Sequence, residues 1–368
     1  MMKHLNGIAT TTFPILLLTS LSGGPKFAAM QPASPKLSSP ARGTGRGLGW
    51  RWVAGGFLAI LLHSAPAATN PPPAMNARTF DTSPRLQSLV DRAAQVALAK
   101  FTTNKLTADQ LAVTLVDLNG ALPASASYRG RERIYPASVI KLFYLVAAHR
   151  WMEDGRLKDT EELQHGLRDM IVDSGNEATG LVVDSITDTT SGPELPPAEL
   201  AAWHDQRNAI NRYFATLGYT NINANRKPWN DGPYGRERQS VVVHTADARN
   251  MLTTDATARL MTDIMMDRAV SAARCEQMRT LLRRDPTETK AEGQVKGFIG
   301  ETLPAGAKLW SKAGWTSQNC HDCAAVELPD GKKYVLVIFT VGQANEPEIL
   351  QTLARSVISG LLQPDKPN

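Results

Sequence analysis

Three short segments of this chain carry residues that can act together on a carbonyl group. The first is Tyr135-Pro136-Ala137-Ser138-Val139-Ile140-Lys141-Leu142. Pro136 and Ala137 lead into a helix at about Ser138, and the apolar run Val139 to Ala148 continues it. Ser138 and Lys141, three apart, share a face of that helix. A serine at a helix start has unpaired backbone N–H groups and a favourable dipole beside it, which suits a developing oxyanion. Lys141 sits among Val, Ile, Leu and Phe, where burial disfavours its charged form, and a neutral amine can take the serine proton. Alone the pair says little. A Ser-x-x-Lys arises about once by chance in a chain of this size, and an N-cap serine with an unrelated surface lysine has the same spelling.

The second segment is Ser174-Gly175-Asn176, which breaks two helical stretches and can present a hydroxyl and an amide to a cleft. By itself it reads as a plain helix–helix turn. The third is Trp310-Ser311-Lys312-Ala313-Gly314-Trp315-Thr316, on an expected strand. Gly314 marks a point where another backbone can approach closely. Lys312 supplies a cation, and the Trp315 N–H can serve as a second oxyanion donor beside that of Ser138. The bland alternative is an edge-strand lysine followed by a bend.

Taken together and in this order, the segments resemble the penicillin-recognising serine enzymes, whose signature is S-x-x-K, S-D-N and K-T-G. The resemblance is greatest to the class A β-lactamases and covers roughly residues 84–362. It implies a nucleophile at Ser138, a general base or proton shuttle at Lys141, and a hydroxyl relay at Ser174. It further implies substrate contact by Asn176, attraction of the substrate carboxylate by Lys312, and an oxyanion hole from the Ser138 and Trp315 amides beside Gly314.

The departures are specific. Gly175 stands where the family has Asp, and Ala313 replaces a hydroxyl residue that helps hold the substrate carboxylate, leaving Thr316 as the candidate substitute. Ser138 and Ser174 are 36 positions apart, shorter than in most class A enzymes, so one rim element is expected to be missing. Asn176 and Lys312 are 136 apart, so an insertion is expected, including 187–197. The family's water-activating Glu, in an E-x-x-x-N pattern, has no counterpart in the loop 225–239. Glu237 is the candidate there, with Asp231 behind it, although Arg236 and Arg238 suggest that Glu237 is salt-bridged on the surface.

Helical periodicity runs over 84–101, 138–152, 160–187, 196–217, 246–284 and 346–362. Strand patterns run over 111–118, 125–129, 307–314, 322–328 and 334–341, with Asn119-Gly120 and Asp330-Gly331 as hairpin turns. Strands therefore occur only near the two ends of the body, around an all-helical block. The expected fold is α+β in αβα layers. An antiparallel sheet combines N- and C-terminal strands, the terminal helices cover one face, and the helical block packs on the other. The expected division is a leader over 1–68, a linker over 69–83 and one catalytic domain over 84–362. Its sheet part is 84–135 and 305–362, and its helical part 136–304.

Composition places the protein's surroundings. The chain has 368 residues, 42% hydrophobic and 20% charged, too apolar for a disordered tail and too charged for a multi-span membrane protein. Its net charge of +5 sits in residues 1–68, which hold Lys3, Lys26, Lys36, Arg42, Arg46 and Arg51 and no acid. Taking those six from 40 basic residues leaves 34 against 35 acidic ones, so the body offers no basic footprint for nucleic acid. Arg42, Arg46 and Arg51, the apolar run 52–62 and Ala65-Pro66-Ala67 read as a signal peptide, with a second apolar run from Phe13 to Leu21 further upstream. Export to the periplasm or medium follows, with membrane contact only through an uncleaved leader.

Three cysteines cannot all pair. No His follows Cys323, so Cys320-x-x-Cys323 is no c-type haem site, and Cys275, Cys320, His321 and Cys323 lack the paired spacing of a zinc knuckle. A Cys275 link to one of the other two, or free thiols, is the plainer account. No cofactor is expected. The reading is an exported monomeric serine hydrolase opening β-lactams through acyl-Ser138. The alternative is a D-Ala-D-Ala peptidase or esterase, or a slowly deacylating penicillin sensor, acting on a peptidoglycan-like peptide. A non-catalytic envelope domain would have no use for two lysines around one serine.

Overall fold

The computed structural model describes residues 80–290 and 293–363, so the leader expected over 1–68 and most of the linker lie outside the described residues. Two terminal helices share one layer. In α1 (Pro84–Lys100) Ser83 accepts the Leu86 N–H, and Leu86, Leu89, Val90, Ala93 and Ala97 turn inward. In α10 (Pro347–Leu362) the stripe Ile349, Leu350, Leu353, Val357 and Leu361 faces the same core.

Under them lies a seven-stranded sheet: β1 (Asp81–Thr82), β2 (Leu111–Asp117), β3 (Ala124–Tyr128), β4 (Arg283–Arg284), β5 (Lys308–Trp315), β6 (Cys320–Glu327) and β7 (Lys333–Thr340), in the order β1-β3-β2-β7-β6-β5-β4. The β2–β7 ladder, from Leu111 opposite Thr340 to Asp117 opposite Tyr334, joins the N- and C-terminal strands. Both faces of the sheet are covered, so these strands read as continuous apolar runs. Leu111, Val113 and Leu115 of β2 face α1 and α10, while Ala112 and Val116 face the helical block. In β7, Tyr334, Leu336 and Ile338 divide in the same way from Val335, Val337 and Phe339.

The sheet is larger than the sequence pattern indicates. β1 lies in the segment read as linker and pairs parallel with β3, and β4 lies in the expected helical part and pairs with β5. A two-residue strand has no periodicity to read.

The helical block is α2 (Lys141–Glu153), α3 (Glu161–Ile171), α4 (Asn176–Thr187), α5 (Pro197–Arg207), α6 (Ala209–Thr216), α7 (Gly235–Val243), α8 (Thr254–Met265) and α9 (Ala272–Leu282). Helix α7 occupies part of the expected loop 225–239. It starts at Gly235 in a left-handed conformation (φ +50°), where a Cβ would meet the Gly192 carbonyl at 2.0 Å. The inserted segment thus docks on the start of α7, and Arg236 N–H donates to Gly192 O.

Helix α2 is the buried axis of the block, with every residue from Lys141 to His149 buried. Lys141, Tyr144 and His149 are all desolvated, and burial pulls His149 down to about 4. The cysteines are all free and buried. Strand alternation separates two of them, Cys320 facing the α1–α10 layer and Cys323 the helical block, where Cys275 also packs. Among the described residues no group of three or more His, Cys, Asp or Glu side chains is arranged to hold a metal.

Candidate active site

The chain enters α2 through a strained turn. Ala137 has φ +47°, a left-handed conformation that costs a residue with a Cβ about 1 kcal/mol or more. A 3₁₀ turn over Ala137–Ile140 follows, so Pro136 rather than Ser138 is the cap, and α2 begins at Lys141. Ser138 is half-buried, and among the described residues nothing hydrogen-bonds its hydroxyl. Two contacts hold this turn against the sheet. His321 on β6 lies 2.9 Å from Tyr135 O through Nε2 and accepts the Thr340 N–H at Nδ1, so its neutral tautomer carries the proton on Nε2. Burial keeps that ring neutral, pulling it down to about 4.

The second contact is Gly314, where a Cβ would stand 2.8 Å from Pro136 O and Ser138 N and 2.9 Å from Val139 N. All three atoms are backbone and cannot swing away. Gly314→Ala is therefore expected to push β5 off the serine turn, costing about 1–3 kcal/mol of stability and most of any reactivity at Ser138. Urea unfolding with penicillin labelling checks both.

Lys141 is fully buried and reaches the α3–α4 loop. Its Nζ donates to the Ser174 carbonyl, donates to Asn176 Oδ1 at 3.0 Å and lies 3.3 Å from Ser174 Oγ. Two of these partners only accept, so a neutral amine satisfies both with its two N–H bonds and keeps a lone pair for a hydroxyl. Burial alone pulls Lys141 from 10.5 to about 7. Ser174 itself is left-handed (φ +58°), which turns its hydroxyl between two lysines.

The second lysine is Lys312, also fully buried, whose Nζ donates to Ser174 Oγ (2.9 Å), Gln294 Oε1 (2.7 Å) and Ala313 O (2.8 Å). Burial and then the charge of Lys141 hold it well below its ordinary value. The Ala313 N–H leaves β5 on the edge away from β6 and is accepted by Gln294. Backbone N–H groups two residues apart point to the same edge, so the Trp315 N–H opens toward the cleft beside the serine turn. The structure thus gathers Ser174, Asn176, Lys141 and Lys312 into one hydrogen-bonded cluster, with Gly314 and Ser138 in contact beside it.

The sequence model of the beta-lactamase enzyme family matches residues 161–360, more than half the chain. This chain belongs to that family. The match begins after the Ser138–Lys141 segment, so the first motif lies outside it. Among curated protein sequences none matches the chain. Among solved structures it resembles a β-lactamase from Sphaerobacter thermophilus, at 20% identity over 76% of this chain and 99% of that one, with a TM-score of 0.53. PBP-A is similar at 18%, over 77% and 98%, with a TM-score of 0.53. A class A β-lactamase representative from Bacteroides cellulosilyticus gives 16%, over 75% and 98%, with a TM-score of 0.51. At these identities the likeness speaks for the fold.

Two positions in this β-lactamase-family chain stand apart from the cluster. Thr316 accepts the Gln318 and Asn319 N–H groups through Oγ1, so its hydroxyl caps the β5–β6 turn. Glu237 is buried, not on the surface, and its Oε1 bonds Arg207 (2.8 Å) and Ser191 (3.1 Å), with Lys227 at 3.5 Å. It borders a cavity of about 310 Å³ with Tyr135 and Trp229, yet its partner is the fully buried Arg207 rather than Arg236 or Arg238. Glu237→Gln leaves Arg207 with Asp184 as its remaining acid. It is expected to cost about 3 kcal/mol of stability and to leave the decay of any acyl-enzyme unchanged, read by urea unfolding and mass spectrometry.

Sequence reasoning missed two residues here. Asn230 accepts the Asn176 Nδ2–H at 2.8 Å and so occupies the amide assigned to substrate contact. Gln294 joins the end of α3, just before the second motif, to the third. Both come from irregular segments, where no periodicity marks a residue as buried or facing the site.

Proposed function

We propose that the protein is an exported serine hydrolase that opens β-lactam rings through an acyl-Ser138 intermediate. One observation supports the reading: a buried Lys141, drawn to about 7, whose two N–H bonds are spoken for and whose lone pair is left for a hydroxyl, with Ser174 Oγ 3.3 Å away and Ser138 one turn back along the chain. Lys141 Nζ takes the Ser138 proton as Oγ attacks the lactam carbonyl carbon. The Ser138 and Trp315 N–H groups receive the oxyanion. As the ring C–N bond breaks, the nitrogen takes the Ser174 hydroxyl proton, and a lysine N–H restores it. Water then cleaves the ester and returns Ser138. The buried positive charge of Lys312 attracts the substrate carboxylate through the field of the site, since its own N–H bonds are all engaged. Family membership supports hydrolysis, and the basic leader with its apolar run supports export to the periplasm or medium.

A second reading keeps acylation without fast deacylation, as in a peptidase, an esterase or a penicillin sensor. It is favoured by the absence, among the described residues, of any carboxylate bonded to Lys141. A PBP-A variant 18% identical to this chain was solved as its acyl-enzyme complex with penicillin G. A chromogenic cephalosporin and a fluorescent penicillin separate the readings. Continuous turnover supports the hydrolase, and stoichiometric, lasting labelling of Ser138 supports the second. No adduct and no turnover would sink both.

A further inference from the structure

Gln294 is 4% exposed and makes four hydrogen bonds. Its Nε2 donates to Ile171 O (2.9 Å) and Val172 O (2.8 Å), and its Oε1 accepts from Lys312 Nζ (2.7 Å) and Ala313 N (3.1 Å). The orientation is unambiguous, because a flipped amide would set donors against donors on one side and acceptors against acceptors on the other. One side chain thereby ties the end of α3, two residues before Ser174, to the strand that carries Lys312.

We infer that Gln294 is a positioning residue that holds the Lys312 ammonium on the Ser174 hydroxyl and so sets the proton path of the cleft, an inference that rests on the acyl-Ser138 reading. Three acceptors surround Lys312 Nζ, and Gln294 supplies the only side-chain carbonyl among them. Without it one N–H of the fully buried Lys312 is left unpaired, as is the Ala313 N–H, and the lysine gains from turning away. The charged neighbours of Lys312 are Lys141 on α2, Arg284 on β4 and Asp322 on β6. Lys141 and Arg284 repel its ammonium, and Asp322 is a partial counterweight bonded instead to Ile299 N–H. The end of α3 has its own anchor, since Arg284 Nη2 donates to Ile171 O at 2.8 Å. Loss of the Gln294 amide therefore releases Lys312 before it releases the helix.

The test compares Gln294→Met and Gln294→Glu with the parent full-length protein. Gln294→Met, of similar volume, is expected to fold and to lose about ten- to a hundredfold in the second-order rate of labelling by a fluorescent penicillin. In its crystal structure Lys312 Nζ should lie beyond hydrogen-bond distance of Ser174 Oγ. Gln294→Glu keeps an acceptor for Lys312 and adds a charge that favours its ammonium, so the alkaline limb of the labelling profile should move to higher pH. A structural role alone would lower the melting temperature of both variants and leave that limb in place. Unchanged rates and limbs, with the Lys312–Ser174 contact kept in both crystal structures, overturn the inference. If the parent protein is not labelled at all, the acyl-Ser138 reading fails, and the crystal structures still decide whether Gln294 places Lys312. If Gln294→Met does not fold, the limb and structure of Gln294→Glu carry the test.

Discussion

Ser138→Ala is expected to abolish covalent labelling by a fluorescent penicillin, a loss of at least about 10⁴-fold in any residual turnover, while hardly changing stability. The two outcomes have separate causes. The hydroxyl is the only group in the cleft assigned to attack a carbonyl, so without it no ester forms. Yet that hydroxyl has no hydrogen-bond partner among the described residues and is half-buried, so its removal leaves no orphaned group behind. The turn itself is held by backbone contacts with Gly314 and by His321 on Tyr135 O, which the substitution leaves intact. Intact-protein mass spectrometry reads the adduct and thermal unfolding reads the fold. A penicillin adduct on the alanine variant would overturn the assignment of the nucleophile.

The second large effect belongs to Lys141 and has a sign that can be worked out. The amine accepts a proton only when neutral, and its folded value is about 7. The labelling rate should therefore fall about tenfold for each pH unit below 7 and level off above it, until loss of the Lys312 proton brings in the alkaline limb. Lys141→Met is expected to lower the rate by about 10²–10⁴-fold and to remove that acid limb. Stability should move the opposite way. The unfolded chain holds this proton up to about 10.5, and the folded one releases it near 7. Between those values the unfolded state binds more protons, so raising the pH favours folding, and below 7 the buried ammonium costs stability in full. Lys141→Met removes that cost, so its melting temperature should rise and depend less on pH, a trade of stability for reactivity. A variant that kept both the labelling rate and the acid limb would show that the base lies elsewhere.

Much of the fold is legible along the chain because its layers are built from long periodic elements. The stripes of α1 and α10, the continuous apolar runs of β2 and β7, and the Asn119-Gly120 and Asp330-Gly331 turns each mark an element locally. The three motifs are legible for a related reason. A serine and a lysine one turn apart share a face whatever surrounds them, and a glycine inside a strand invites a close approach wherever the strand lies. The elements that escape reading are short: β1 and β4 have two residues each, and α7 opens with Gly235 and four charged or amide side chains within its first five residues.

The site divides along the same line. From sequence alone come the types of group available for chemistry and the segments that carry them: one hydroxyl just before α2 and an amine at its start, a hydroxyl and an amide between α3 and α4, a cation on β5. Only the tertiary structure decides their state and their company. Lys141 and Lys312 become weak bases because the core closes over them, a matter of solvation that no spacing encodes. Gln294 meets Lys312, and Arg207 claims Glu237, across 18 and 30 positions of chain, through contacts that exist only once the helical block has closed on the sheet.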